Sequence, residues 1–93
     1  MDKEFITDYL KNFSKFVQPS EELIINLIKV KDVLINASAS GNKAIVVGNG
    51  GSAAIASHVS VDLTKNAGIS SINFNEADLI TCFTNDYGFE KWV

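Results

Sequence analysis

The sequence predicts an α/β fold: the start of a doubly wound parallel sheet, preceded by two amphipathic helices. Three observations carry that expectation. Two long helical patterns come first. A short, continuously apolar run, Lys43-Ala44-Ile45-Val46-Val47-Gly48, follows them. Glycines then join that run to a third helical pattern and a second, weaker strand. A β-branched strand buried on both faces, followed by a crossover helix and another strand, is the βαβ unit of a parallel sheet. Ninety-three residues allow one small domain.

Phe5, Ile6, Tyr9, Leu10, Phe13, Phe16 and Val17 recur at helical spacing and predict a helix that ends before Pro19. Ser20 stands as an N-cap ahead of Glu21 and Glu22, whose charges favour the positive end of a helix. The next run, from Leu23 to Ile35, has too many apolar residues for one stripe and is expected to bury more than one face. Ser40-Gly41-Asn42 marks its end. After the apolar strand and the glycines, a helix is expected from about 52 to 66, broken by Gly68. Ile69 to Phe74 is expected as the second strand, and Asn75 as the cap of a short helix reaching Phe83. Asn85-Asp86-Tyr87-Gly88 is expected as a turn, after which Phe89, Trp92 and Val93 restart a helical spacing. The organisation is therefore 1–41 as leading helices and 42–93 as the first part of an α/β domain, cut as a further helix begins.

The net charge is −3, and the eight basic residues are scattered, so nucleic acid is not an expected partner. The charged start passes into an amphipathic pattern rather than an apolar core, unlike a signal peptide. No apolar run approaches the roughly 20 residues of a membrane span. The single cysteine, Cys82, cannot form an internal disulfide, and a cytoplasmic location is expected. Cys82 itself, beside Ile80 and Phe83, is expected as a buried, inert thiol.

The segment Gly48-Asn49-Gly50-Gly51-Ser52 carries the chemistry. A strand, then glycines, then a helix N-terminus aims backbone N–H groups and the helix dipole at one spot, which suits an anionic or polyhydroxyl ligand. Gly48, Gly50 and Ala53 also satisfy the relaxed dinucleotide fingerprint. The first acid after the second strand, Glu76, is further on than the ribose-binding acid of that fingerprint, and the nucleotide reading stays open as the minor alternative. Around the third helix, Ile55, Val59 and Leu63 form one apolar ridge, with Ala54 and Val61 to the other side. His58 and Asp62 fall between them and are expected to point inward, with Ser57, Ser60 and Thr64 on the opposite face. A histidine and a carboxylate four residues apart either satisfy each other structurally or form a site wall that holds a metal or moves protons.

Together, Gly48-Asn49-Gly50-Gly51-Ser52-Ala53-Ala54, then His58, Asp62-Leu63-Thr64, and then Asn85-Asp86-Tyr87-Gly88-Phe89 resemble the phosphoheptose isomerase branch of the sugar isomerase (SIS) domain family. The resemblance runs over essentially the whole chain. It implies a doubly wound SIS domain assembled as a homotetramer, with the leading helices between subunits. It also implies isomerisation of sedoheptulose 7-phosphate to a heptose 7-phosphate, early in the synthesis of bacterial surface heptoses (lipopolysaccharide or capsule). It assigns substrate contacts to Asn49, Gly50, Gly51 and Ser52, and to Asn85 and Asp86. It places His58 at a zinc-ligand position, and Asp62 where the family usually has a glutamate that serves as metal ligand and catalytic base. Zinc is thus the implied cofactor, and no nucleotide is expected.

Aldose–ketose isomerisation removes a proton beside a carbonyl, passes through an enediol and returns the proton to the neighbouring carbon. It needs a base, an acid partner, oxyanion stabilisation and a phosphate anchor. Asp62 is the candidate base, with His58 orienting it or polarising the substrate. Aspartate sets its carboxylate about 1.5 Å back from glutamate's reach, a displacement that can cost about 10²-fold in rate. The resemblance also implies a serine/threonine-rich phosphate loop and later glutamine and histidine residues that the 93 residues do not contain, so no isomerase activity is expected of this chain alone. A non-catalytic SIS-type sugar-phosphate-binding or assembly protein is the second reading, and a nucleotide-binding oxidoreductase fragment the third.

Overall fold

The structure, a computed structural model that describes residues 1–93, contains four α-helices, a two-stranded parallel sheet and one 3₁₀ turn. It divides into two compact units, Met1–Lys31 and Asp32–Val93, and the division falls inside the second helix.

In the first unit, α1 spans Asp2–Phe16, with Asp2 and Glu4 in its first turn and Lys15 in its last. Those charges match the helix dipole at both ends. Phe5 and Tyr9 stack one turn apart, with ring centroids 6.4 Å from each other. Helix α2 spans Glu21–Ala39, and its start is the expected one: Ser20 Oγ accepts the Leu23 N–H at 3.1 Å. No residue from 1 to 31 is buried. In the second unit the end of α2 leads into Gly41, whose φ of 76° is open to glycine.

Strand β1 (Ala44–Ile45) pairs in parallel with β2 (Ser71–Ile72), Ala44 opposite Ser71 and Ile45 opposite Ile72. Helix α3 (Gly51–Lys65) makes the crossover between them. Both strands are shorter than the apolar runs that predicted them, and at their C-terminal ends asparagine side chains take over the pairing after the Val46 N–H to Ile72 carbonyl bond. Helix α3 lies on the sheet through its small, hydroxyl-bearing face. Ala56 and Ser60 are buried there, Ser60 Oγ bonds Ser71 Oγ at 3.0 Å, and Thr64 Oγ1 donates to the Ser71 carbonyl at 3.4 Å. Small side chains let a helix approach a sheet of only two strands closely, and they win this face over the apolar ridge. Ile55 and Val59 therefore remain exposed, and His58 and Asp62 face outward with side chains 77% and 52% exposed. That corrects the inward orientation expected from the apolar arc.

Helix α4 spans Ala77–Tyr87. Its N-cap is Glu76, not Asn75, and it continues past Phe83 to Tyr87 before Gly88 turns the chain at φ 97°. Asn85 and Asp86 accordingly sit in a last helical turn rather than in a turn between elements. Residues Phe89–Lys91 form the 3₁₀ turn. Cys82 is exposed on α4 rather than buried. On the sheet face away from α3, Ile45, Val47 and Phe74 join Leu79 and Phe83 of α4 and the buried Trp92 around an apolar cavity of about 420 Å³. No helix is long and apolar enough to cross a membrane.

Candidate functional site

The strand-to-helix connection is held on both sides. A Cβ on Gly48 would collide with the Ser52 carbonyl, so only glycine lets the first turn of α3 close over the end of β1. On the other side, the Gly48 N–H donates to Asn75 Oδ1 at 2.9 Å, and the Gly48 carbonyl accepts from Asn75 Nδ2. Beyond Gly48 the loop ties itself. Ser52 Oγ accepts the Asn49 N–H at 2.9 Å and donates to the Asn49 carbonyl at 2.6 Å. Gly50, at φ 60° and ψ −127°, occupies backbone space that side chains rarely enter. The N–H groups of Ser52 and Ala53 close onto the carbonyls of Asn49 and Gly50. Those of Gly50 and Gly51 make no hydrogen bond within the chain and lie at the start of α3, where the helix dipole favours negative charge.

His58 and Asp62 form one chain of contacts along the exposed face of α3. His58 Nε2 lies 3.6 Å from Asp62 Oδ2, and Asn66 Nδ2 donates to Asp62 Oδ1 at 3.1 Å. The carboxylate is thus held from both sides while remaining open to solvent. It is also distant from the loop: α3 rises about 16 Å between Gly51 and Asp62. As a metal site the pair offers two donors, one fewer than the three protein ligands of a catalytic zinc. No group of three or more His, Cys, Asp or Glu side chains comes together in a metal-binding arrangement. The donor set of this chain by itself does not fit zinc.

Asn85 and Asp86 lie at the far end of α4, where Asn85 Nδ2 donates to Asp86 Oδ1 at 3.2 Å. Cys82 Sγ donates to Asp86 Oδ2 at 3.7 Å. The charge of Asp86 is the main reason the thiol pKa is raised, with slight desolvation, that hydrogen bond and the charge of Asp78 adding to it. The thiol is therefore held in its unreactive form chiefly by its neighbour. Asn49, Gly50, Gly51 and Ser52 thus form one group, His58 and Asp62 a second, Asn85 and Asp86 a third. No hydrogen bond or ion pair joins the three.

Two participants were not expected from the sequence. Asn73 and Asn75 fall on alternate positions after β2, on one face by the period of a strand. Asn73 Nδ2 donates to the Val46 carbonyl at 2.6 Å and to Asn75 Oδ1 at 3.1 Å, and Asn73 Oδ1 accepts the Asn75 N–H at 2.9 Å. Asparagine is depleted in strands, so two at alternate positions after an apolar run were a readable signal. Glu76, the acid that a dinucleotide site would offer to a ribose, spends both carboxylate oxygens on α4, accepting the N–H groups of Asp78 and Leu79 at 3.0 Å each.

Comparison with known proteins bears on this arrangement. The chain is 36% identical over 76 residues to a phosphoheptose isomerase of Geotalea uraniireducens, covering 75% of this chain and 40% of that protein. It is 32% identical over 96 aligned positions to a phosphoheptose isomerase of Trichlorobacter lovleyi, covering 96% of this chain and 49% of that one. The chain belongs to the phosphoheptose isomerase family. A further member, phosphoheptose isomerase 2 of Campylobacter jejuni, is 38% identical over 78 residues, 76% of this chain and 39% of its own length. The chain thus spans half or less of the length of these curated relatives. No family model and no solved structure matches it.

Proposed function

We propose that this chain carries part of the sugar-phosphate site of an aldose–ketose isomerase acting on sedoheptulose 7-phosphate. The carrying observation is the loop from Gly48 to Ser52, fastened at both ends and leaving the Gly50 and Gly51 N–H groups free at a helix start. Those donors suit a sugar oxygen that becomes negative in an enediol-forming step. Family membership supports the reaction class. Asp62 is the proposed base, kept in place by His58 and Asn66. Asn85 and Asp86 are proposed as further substrate contacts from the end of α4. A second copy of the chain is the means by which a base so far along α3 takes part. The apolar residues of α1 and α2, with Phe5, Phe13 and Leu27 more than half exposed, support such a homo-oligomer. A SIS-type doubly wound domain and a cytoplasmic setting belong to the same proposal.

The proposed site has no phosphate anchor and no acid partner within these residues. Incubating the purified 93-residue chain with sedoheptulose 7-phosphate is expected to show binding without turnover. A thermal-shift comparison of that sugar phosphate, NAD and zinc tests the ligand class. Stabilisation by the sugar phosphate supports the proposal, and stabilisation by NAD alone defeats it.

A further inference from the structure

The parallel ladder of β1 and β2 does not simply stop. Ala44 N–H donates to the Ser70 carbonyl at 2.9 Å and Val46 N–H to the Ile72 carbonyl at 3.0 Å. The pattern of a parallel pair puts the next rungs on Phe74, its carbonyl accepting from Gly48 and its N–H donating to Val46. Neither forms that way. The Phe74 carbonyl turns aside to accept the Glu76 N–H at 2.8 Å. The Val46 carbonyl takes Asn73 Nδ2 instead, and both polar groups of Gly48 take the amide of Asn75. Two asparagine side chains have replaced backbone rungs at the point where the strand becomes the glycine loop.

We propose that Asn75 is a positioning residue for the ligand-binding N–H groups of Gly50 and Gly51, acting through the two peptide planes of Gly48. This rests on the sugar-phosphate reading of the loop. The orientation of the Asn75 amide is set by its partners, since an N–H needs the oxygen and a carbonyl needs the nitrogen. Gripping both groups of one residue fixes the peptide before Gly48 and the peptide after it. The close Ser52 carbonyl bars Gly48 from moving the other way. From there the path to Gly50 and Gly51 is short and internally bonded, so the aim of their N–H groups follows the plane of Gly48. Asn73 braces Asn75 from behind, through Asn75 Oδ1 and the Asn75 N–H.

The test is a titration of the ¹⁵N-labelled 93-residue chain with sedoheptulose 7-phosphate, followed at the Gly50 and Gly51 amides. In the unsubstituted chain these two signals should move. If they stay fixed, the sugar-phosphate reading of the loop fails and the positioning role goes with it. If they move, Asn75→Ala should raise Kd by about tenfold, the worth of about one misaligned hydrogen bond to the ligand, while the Ala56 and Ser60 signals keep their positions. A lowered melting temperature with an unchanged Kd would show Asn75 to be structural only and would overturn the proposal while leaving the functional reading intact. Amide exchange on the unsubstituted chain tests the grip even where the variant fails to fold. Gly48 should be protected like Val46, and exchange as fast as that of Gly50 would show that the grip does not form.

Discussion

Glu76 shows how much one side chain decides. Its two oxygens cap α4, and those backbone hydrogen bonds hold its pKa below the ordinary 4.5. The folded value is the lower one, so the cap's contribution is present above the unfolded pKa and is lost as pH falls through the folded value. Lowering the pH through that depressed value should therefore release the Asp78 and Leu79 amides to solvent exchange. Glu76→Gln should remove that pH dependence, which exchange measured at two pH values would detect. Gly48 is decisive in a different way. Gly48→Ala must drive a methyl into the Ser52 carbonyl and should cost about 1–3 kcal/mol. Gly51→Ala, with open space around the added carbon, should leave the denaturation midpoint nearly unchanged. Cys82 should alkylate slowly at pH 8, and Asp86→Asn should speed it by removing the charge that raises its pKa.

At the scale of elements, the helices are more legible in the sequence than the strands. Ser20 and Gly41 bound α2 as the residue pattern predicts, because caps are local chemistry. The strands come out shorter than their apolar runs, since such a run shows what can be buried and not where a side chain will displace a backbone rung. The orientation of α3 escapes the pattern for a related reason. Hydrophobic periodicity favours the Ile55–Val59 ridge, but a two-stranded sheet accepts small residues at close range, and the hydroxyls of Ser60 and Thr64 find partners on Ser71. The glycine loop is legible because its residue types have few other uses. Its fastening by Asn75 is not, because it joins positions distant in sequence. The Ser60–Ser71 bond gives the element-scale expectation: Ser60→Ala should lose about 1 kcal/mol by leaving a half-buried hydroxyl without its partner, measurable by urea unfolding.

At the scale of the whole molecule, Ala56, Ser60 and Trp92 are the only buried side chains. Phe5, Phe13 and Phe16 of the first unit all stand in the open, more apolar surface than a solitary soluble chain ordinarily presents. Sedimentation over a concentration series should show self-association, and serine at those three positions should move the equilibrium toward the single chain. An unsubstituted chain that stays single at every concentration would count against the proposed oligomer.

Trp92 is the only tryptophan in the chain. It lies 5% exposed against the apolar cavity beside Ile45 and Phe74. Its emission is therefore a private optical channel on that one side of the sheet. Detergent or lipid entering the cavity should change its colour and its access to a quencher such as acrylamide. A sugar bound at the glycine loop, none of whose residues lines that cavity, should leave that emission unchanged.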